Sequence, residues 1–269
     1  MDQTYNQDFK ANLKSKYAEV RRLLDEESKN DTESEPYKSK YAASEILKDL
    51  ENLLVNCKTD TEEQQNEVTS MLSVVYLNEG IVAIETEELK NGEDYLNSCV
   101  DTLNKHCMKR ETILTMVSAL NQLGILWSKR DDSKKAKEYL DEAEKIYKDY
   151  KSTQDSDSLP RSMSSLLGIE DPNEPPATEV IEKLHTLTLY YLAQIYGSMD
   201  DFLKSAVYCH MTLKRQLEAN DYDSIDWALN AATLSQFFME KNGFQQARHH
   251  LAAATYVLGK HEDILKLME

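Results

Sequence analysis

Six histidines and four cysteines are the residues of this chain best equipped for nucleophilic or metal chemistry, and their spacing argues against it. Cys57, Cys99, Cys107 and Cys209 form no CxxC pair. A zinc site built from His106, Cys107 and a distant ligand would lack the second spaced pair that tetrahedral sites use. His249 and His250 are adjacent, so on a helix their rings point in different directions instead of sharing a face as an i, i+4 pair would. The other histidines stand beside no serine or cysteine in a nucleophile motif, and the seven glycines are dispersed singly, leaving no phosphate-binding loop. The chain reads as non-enzymatic, with no cofactor, no metal and no small-molecule substrate. What remains is hydrogen-bonding chemistry: amide and hydroxyl side chains set along helices donate and accept, which suits recognition of a partner helix.

The elements that would carry such side chains are helical hairpins. In LNQLGILWSKRDDSKKAKEYLDEA, residues 120–143, Gly124, Ala136 and Ala143 have the Leu-Gly-x-x-aromatic…Ala…Ala spacing of a tetratricopeptide-type repeat. Two antiparallel helices approach only where side chains are small, so these three mark a crossing, and Leu120, Leu123, Trp127 and Leu140 fill the space around it. The same register picks out Gly80, Gly92 and Cys99, then Ala193, Ser205 and Thr212, then Ser235, Ala247 and Ala254. Asp131, Asp132 and Ser133 provide one turn and cap, Asn242-Gly243 another, and Asn91-Gly92 lie close to a third. Phe244 and Leu251 are expected among the large residues of the last pair. Tyr139, Tyr147, Tyr150, Tyr196, Tyr208 and Trp227 at helical spacing read as core.

The expected fold is all-α, a single right-handed α-solenoid of tetratricopeptide (TPR)-like hairpins over 1–269. Residues 1–57 are two capping helices. In the first, Tyr5, Phe9, Leu13, Tyr17, Val20 and Leu24 share a face, and in the second, with Pro36 in its first turn, Tyr41, Ile46, Leu50 and Leu53 or Leu54 do. Hairpins one and two occupy 65–150 and hairpins three and four occupy 179–258. Between them, 151–178 is rich in Ser, Asp and Pro and reads as a flexible acidic loop, with a short helical turn near 163–167 that could dock on the stack and Ser158 as a candidate phosphorylation site. Residues 259–269 add a final short helix.

In such an array the first helix of each hairpin lines the concave surface. Residues of that face not used for packing are Asn121, Ser128 and Lys129, then Tyr190, Gln194 and Ser198, then Gln236, Met239 and Glu240, with Tyr191 and Thr233 one position further round. The formal charge of −17, from 48 acidic and 31 basic residues, argues against nucleic acid or an anionic membrane as partner. A basic protein surface is the natural complement. The N-terminus MDQTYNQDFK has no apolar signal region and no run of 18 apolar residues occurs, so no membrane insertion and a cytoplasmic location are expected.

The stretches EPYKSKYAASEIL, NQLGILWSKRDD, LTLYYLAQIY, MTLKRQLEANDYDSIDWALNAATLSQFF and QARHHLAAA, in this order from Glu35 to Ala254, resemble the kinesin-binding protein family. The resemblance implies an α-solenoid that binds kinesin motor domains and keeps them off microtubules, regulating axonal and organelle transport at the cytoskeleton. It places motor contacts at Tyr191, Gln194, Gln216 and Thr233, with Tyr190 and Gln236 as neighbours, in the groove of hairpins three and four. It also implies a second helical half in the longer family members, of which this chain carries the N-terminal part. The competing expectation is a general TPR peptide-binding scaffold or adaptor in a larger complex, whose carboxylate clamp would draw on Asn121 and Lys129.

Overall fold

Sequence stretches free of proline become helices, and the small residues, glycines among them, fall where those helices cross. The computed structural model describes residues 3–105, 110–153, 159–219 and 223–260. It divides into two compact units, Met1–Leu184 and His185–Glu269. The division falls inside a helix, not in the Pro-rich segment before it.

In the first unit, α1 (Gln7–Asp25) opens on Asn6, whose side chain accepts from Phe9 N. It packs against α2 (Lys38–Val55). Phe9, Leu13, Tyr17, Val20 and Leu23 form the buried stripe of α1. In α2 the stripe runs through Ala43, Leu47, Leu50 and Leu54; Leu50 and Leu54 are buried as expected, Ile46 is half-buried, and Tyr41 stands 48% exposed. Pro36 precedes that helix instead of occupying its first turn. Beside the helices the described residues contain one parallel bridge of two residues a side, β1 (Gln3–Thr4) with β2 (Cys57–Lys58), which ties the chain start to the end of α2.

Next come α3 (Glu62–Glu85) with α4 (Leu89–Lys105), and α5 (Ile113–Lys129) with α6 (Ser133–Ser152). α3 is long and apolar enough by composition to cross a bilayer, but its apolar side chains are largely buried among neighbouring helices, Val74, Val75 and Leu77 completely. A Cβ on Gly80 would lie 2.7 Å from Leu96 Cγ, and one on Gly124 would lie 2.6 Å from Leu140 Cγ. Cys99, Ala136 and Ala143 are fully buried.

The second unit contains the remainder of α8 (Ala177–Ser198) from His185 on, α9 (Phe202–Glu218), α10 (Ser224–Glu240) and α11 (Phe244–Leu258). Ser205 donates to Ala193 O at 2.7 Å across its crossing, and Tyr196 stacks on Tyr208 with ring centroids 5.4 Å apart. Trp227 is buried and its indole N–H donates to Leu213 O. Ser235, Ala247 and Ala254 are buried as well, whereas Phe244 and Leu251, expected as fillers, are 64% and 49% exposed.

All four hairpins turn in the same way. Glu87, Asp131, Asp200 and Asn242 adopt left-handed backbone, each seven residues after the first small residue of its crossing and five before the second. The next amide then reaches back over the helix end: Glu88 to Ala83 O, Asp132 to Trp127 O, Asp201 to Tyr196 O and Gly243 to Phe238 O. This is the Schellman closure, which satisfies carbonyls left open at a helix C-terminus. Asp132 and Asp201 cap the following helix by accepting from Lys135 N and Lys204 N. Asn91 and Gly92, expected near the first turn, lie inside α4.

Part of the 151–178 stretch is packed, in contrast to the flexible loop read from its composition, and the packed part includes the short turn expected near 163–167. α7 (Met163–Leu166) is capped by Ser162, and Leu166 and Leu167 are buried in the core shared by α1 and α2. Arg161 N donates to Glu111 O at 3.1 Å, and Ser162 donates to Glu174 at 2.8 Å. Two adjacent leucines hold the segment, a signal too short to show as a periodic stripe. Leu167→Ala is expected to cost about 2–4 kcal/mol, the usual range for emptying a buried leucine site, visible as a lower urea midpoint. Ser158 and the candidate zinc pair His106 and Cys107 lie outside the described residues, as does 261–269.

Candidate interaction site

Two exposed helix faces in the second unit carry the expected contact residues. On α10, Leu229, Thr233, Gln236 and Glu240 recur at i, i+4, i+7 and i+11 and all are exposed, a single stripe along one side of the helix. On α8, Leu187, Tyr191, Gln194 and Ser198 recur at the same spacing, the first two half-buried and the last two exposed. The stripes are related by the 42-residue step that separates Ala193 from Ser235, so they occupy equivalent places in successive hairpins. Each has an apolar residue at its start and a glutamine in the middle.

The geometry at individual residues is as follows. Tyr190 and Tyr191 meet edge to face with centroids 5.3 Å apart, and burial pushes the Tyr191 phenol above its usual pKa. Thr233 returns its hydroxyl to Leu229 O, the common fate of a helical threonine. Gln216 lies on α9, the second helix of its hairpin, and accepts from Asn230 of α10 at 3.4 Å. That contact joins two helices of the site, and Asn230, next to Leu229 on α10, is a residue that the reading of the first-helix faces did not include.

Asn121 does not belong to this set. It lies in the first unit, is 1% exposed, and donates to Leu184 O at 3.0 Å, so its amide satisfies a backbone carbonyl. The stripe register transferred from α8 and α10 to α5 selects Gln122, half-buried, in its place. Lys129 is exposed.

The charge is unevenly spread. Residues 1–184 hold 38 acidic and 24 basic side chains, whereas 185–269 hold 10 and 7. The acidic excess therefore belongs chiefly to the first unit, and the two stripes are polar and apolar surfaces with only Glu240 charged. Among the described residues no group of three or more His, Cys, Asp or Glu side chains is placed to hold a metal ion. Cys57, Cys99 and Cys209 are free thiols, and burial raises the pKa of Cys209 to about 11.

Stacked helical hairpins with small-residue crossings, one recurring turn and exposed side-chain stripes define an α-solenoid of TPR-like hairpins. Comparison with known proteins narrows the class. A family profile described as "KIF-1 binding protein C terminal" matches residues 225–269. KIF-binding proteins of Gallus gallus and Drosophila melanogaster are 38% and 37% identical over 91% and 94% of this chain. That of Homo sapiens is 37% identical over 85%. The aligned part is 41%, 43% and 41% of those proteins, so the chain spans about two fifths of the relatives it matches. A solved structure titled "Kinesin binding protein (KBP)" is 35% identical, with a TM-score of 0.66 over 92% of this chain and 46% of that one. BtubC from P. vanneervenii, at 12% identity and a TM-score of 0.56, shares the fold alone. By sequence and by fold, this chain is similar to the KIF-binding proteins over about two fifths of their length.

Proposed function

We propose that this chain binds kinesin motor domains through the stripes of α8 and α10 and thereby blocks their attachment to microtubules. The observation that carries the reading is the relatedness to KIF-binding proteins at 35–38% identity, whose names state what those proteins bind. The stripes supply a plausible contact chemistry. Leu187 and Leu229 offer apolar anchors, and Gln194 and Gln236 offer donors and acceptors at one repeating position, which suits a partner helix lying across both hairpins. The acidic first unit adds long-range attraction for a basic motor face, raising the association rate more than the final affinity. The protein acts without catalysis or a cofactor, in the cytoplasm beside microtubules, as a regulator of motor-driven and axonal transport. The peptide-clamp alternative loses half its residues, because Asn121 is buried.

The test is microtubule co-sedimentation with a panel of purified motor domains, with and without this chain, across salt concentrations. Release of a subset of motors, weakening as salt rises, is the expected result. Gln194→Ala with Gln216→Ala should weaken motor binding about tenfold or more, as the loss of two contact residues of a little over 0.7 kcal/mol each would. Unchanged binding by the double variant would remove the groove assignment while leaving motor binding itself intact.

A further inference from the structure

The first unit contains a pocket that uses none of the stripe residues. It is a cavity of 380 Å³ bounded by α2, α3 and α4. Its deepest polar group is Glu79 on α3, 1% exposed. Ser44 of α2 donates to one carboxyl oxygen at 3.0 Å, and the other oxygen has no hydrogen-bond partner among the described residues although it is buried. Around it the lining is aromatic and acidic. Tyr76 and Tyr95 bring their rings to 6.4 Å, and Tyr41 stands half-exposed beside them. Glu51, Glu88 and Asp94 complete the acidic groups, against Lys48 as the one cation of the lining.

From this arrangement we infer a binding pocket for the side chain of an arginine carried by a protein partner. A buried carboxylate oxygen that lacks a donor is a costly feature unless a donor is supplied from outside. Carboxylates and tyrosine rings together match a guanidinium, which forks onto carboxylate oxygens and stacks on aromatic faces, better than they match a compact ammonium. The cavity is too large for a bare ion, and the described residues gather no metal-binding cluster. The pocket also sits in the unit that carries most of the acidic excess, which draws basic partners toward it.

Glu79 also makes occupancy depend on pH. Desolvation raises its pKa to about 7, opposed by the Ser44 hydrogen bond and Lys48 and assisted by Glu51 and Glu88. The tyrosines facing it, Tyr76 and Tyr95, are likewise pushed upward by burial and by these carboxylates, so they stay neutral. Well below pH 7 Glu79 is uncharged. An arginine therefore binds more tightly as pH rises through 7, and its arrival releases a proton.

The proposal is tested without a motor domain, so it fails or stands separately from the reading above. The ¹⁵N-labelled chain is titrated with acetyl-Gly-Arg-Gly-amide, with the same peptide carrying neutral citrulline, and with spermidine, while the amide signals of Val82, Ala83 and Ser98 are followed. The expected result is saturable shifts with the arginine peptide, at least tenfold weaker binding of the citrulline peptide, and several-fold tighter arginine binding at pH 8 than at pH 6. Glu79→Gln should weaken binding at pH 8 and abolish the pH dependence, and Tyr41→Ala, at a half-exposed position where folding is not at stake, should weaken it as well. Equal binding of arginine and citrulline peptides, indifference to both variants, or no shift at all would overturn the proposal. Preferential saturation by spermidine would also overturn it, making the pocket a polyamine site instead of a protein dock.

Discussion

Gly92→Val is expected to lower the thermal midpoint of the first unit by roughly 2–12 °C. A Cβ at Gly92 would sit 2.7 Å from Ile84 Cγ1, 3.1 Å from Gly80 O and 3.3 Å from Ile84 N. Two of those three atoms are backbone, so relief requires α3 and α4 to move apart along the crossing that both glycines create. Overpacking of this kind costs about 1–3 kcal/mol and more where the backbone resists, set against a helix-propensity gain of less than ~1 kcal/mol over glycine. For a unit of this size each kcal/mol shifts the midpoint by about 2–4 °C. Gly197→Ala is the internal comparison, because its Cβ would meet only the Ser205 side chain, Oγ at 3.3 Å and Cβ at 4.0 Å. That variant should unfold within a few degrees of the wild type, in either direction. Thermal scans by far-UV circular dichroism on both variants decide it, and equal midpoints would mean that the α3–α4 crossing is not tight.

That comparison rests on what the sequence makes visible. Small residues at the crossings are legible because a clash at van der Waals distance admits no substitute, and the same constraint recurs in four hairpins. Three of the four turns fall on residue types that tolerate left-handed backbone, Asp131, Asp200 and Asn242, of which Asp131 and Asn242 stand in the turns read from the sequence. Glu87 is not such a type, and its turn is set by the helices it joins instead of by its own preference. Tyr41 was misplaced because a tyrosine at helical spacing looks like core, whereas the alanine and serine beside it, Ala43 and Ser44, are what the close approach of α2 to α3 admits. A short turn near 163–167 able to dock was legible, whereas which core Leu166 and Leu167 enter is tertiary information that no periodic stripe carries.

The candidate site shows the same division. Gln194 and Gln236 follow from register, because one repeat position faces outward in both hairpins. Asn121 was assigned one residue off that register, and on a helix one residue is about 100° of rotation, enough to turn a side chain from surface to interior. The acidic total likewise reveals nothing of its placement. Only the division at Leu184 separates a strongly acidic unit from a nearly balanced one.

Glu79→Gln should change how stability depends on pH more than any other single substitution. In the unfolded chain the Glu79 carboxyl ionises near 4.5, and in the folded chain it keeps its proton to about 7. Between those values the folded state binds more protons than the unfolded one, so its contribution to stability falls as pH rises, and the loss is complete above 7. A separation of that size corresponds to about 3 kcal/mol. Glutamine still accepts from Ser44 but does not ionise, so the variant should lose the part of the decline that belongs to this group. Urea unfolding between pH 5 and 8 measures the difference: the variant should gain on the wild type up to about pH 7, level off beyond it, and be the more stable protein at pH 8. A constant difference across the window would show that Glu79 is ionised in the folded chain throughout, and hence that its buried oxygen is not held neutral by the surrounding carboxylates and apolar walls.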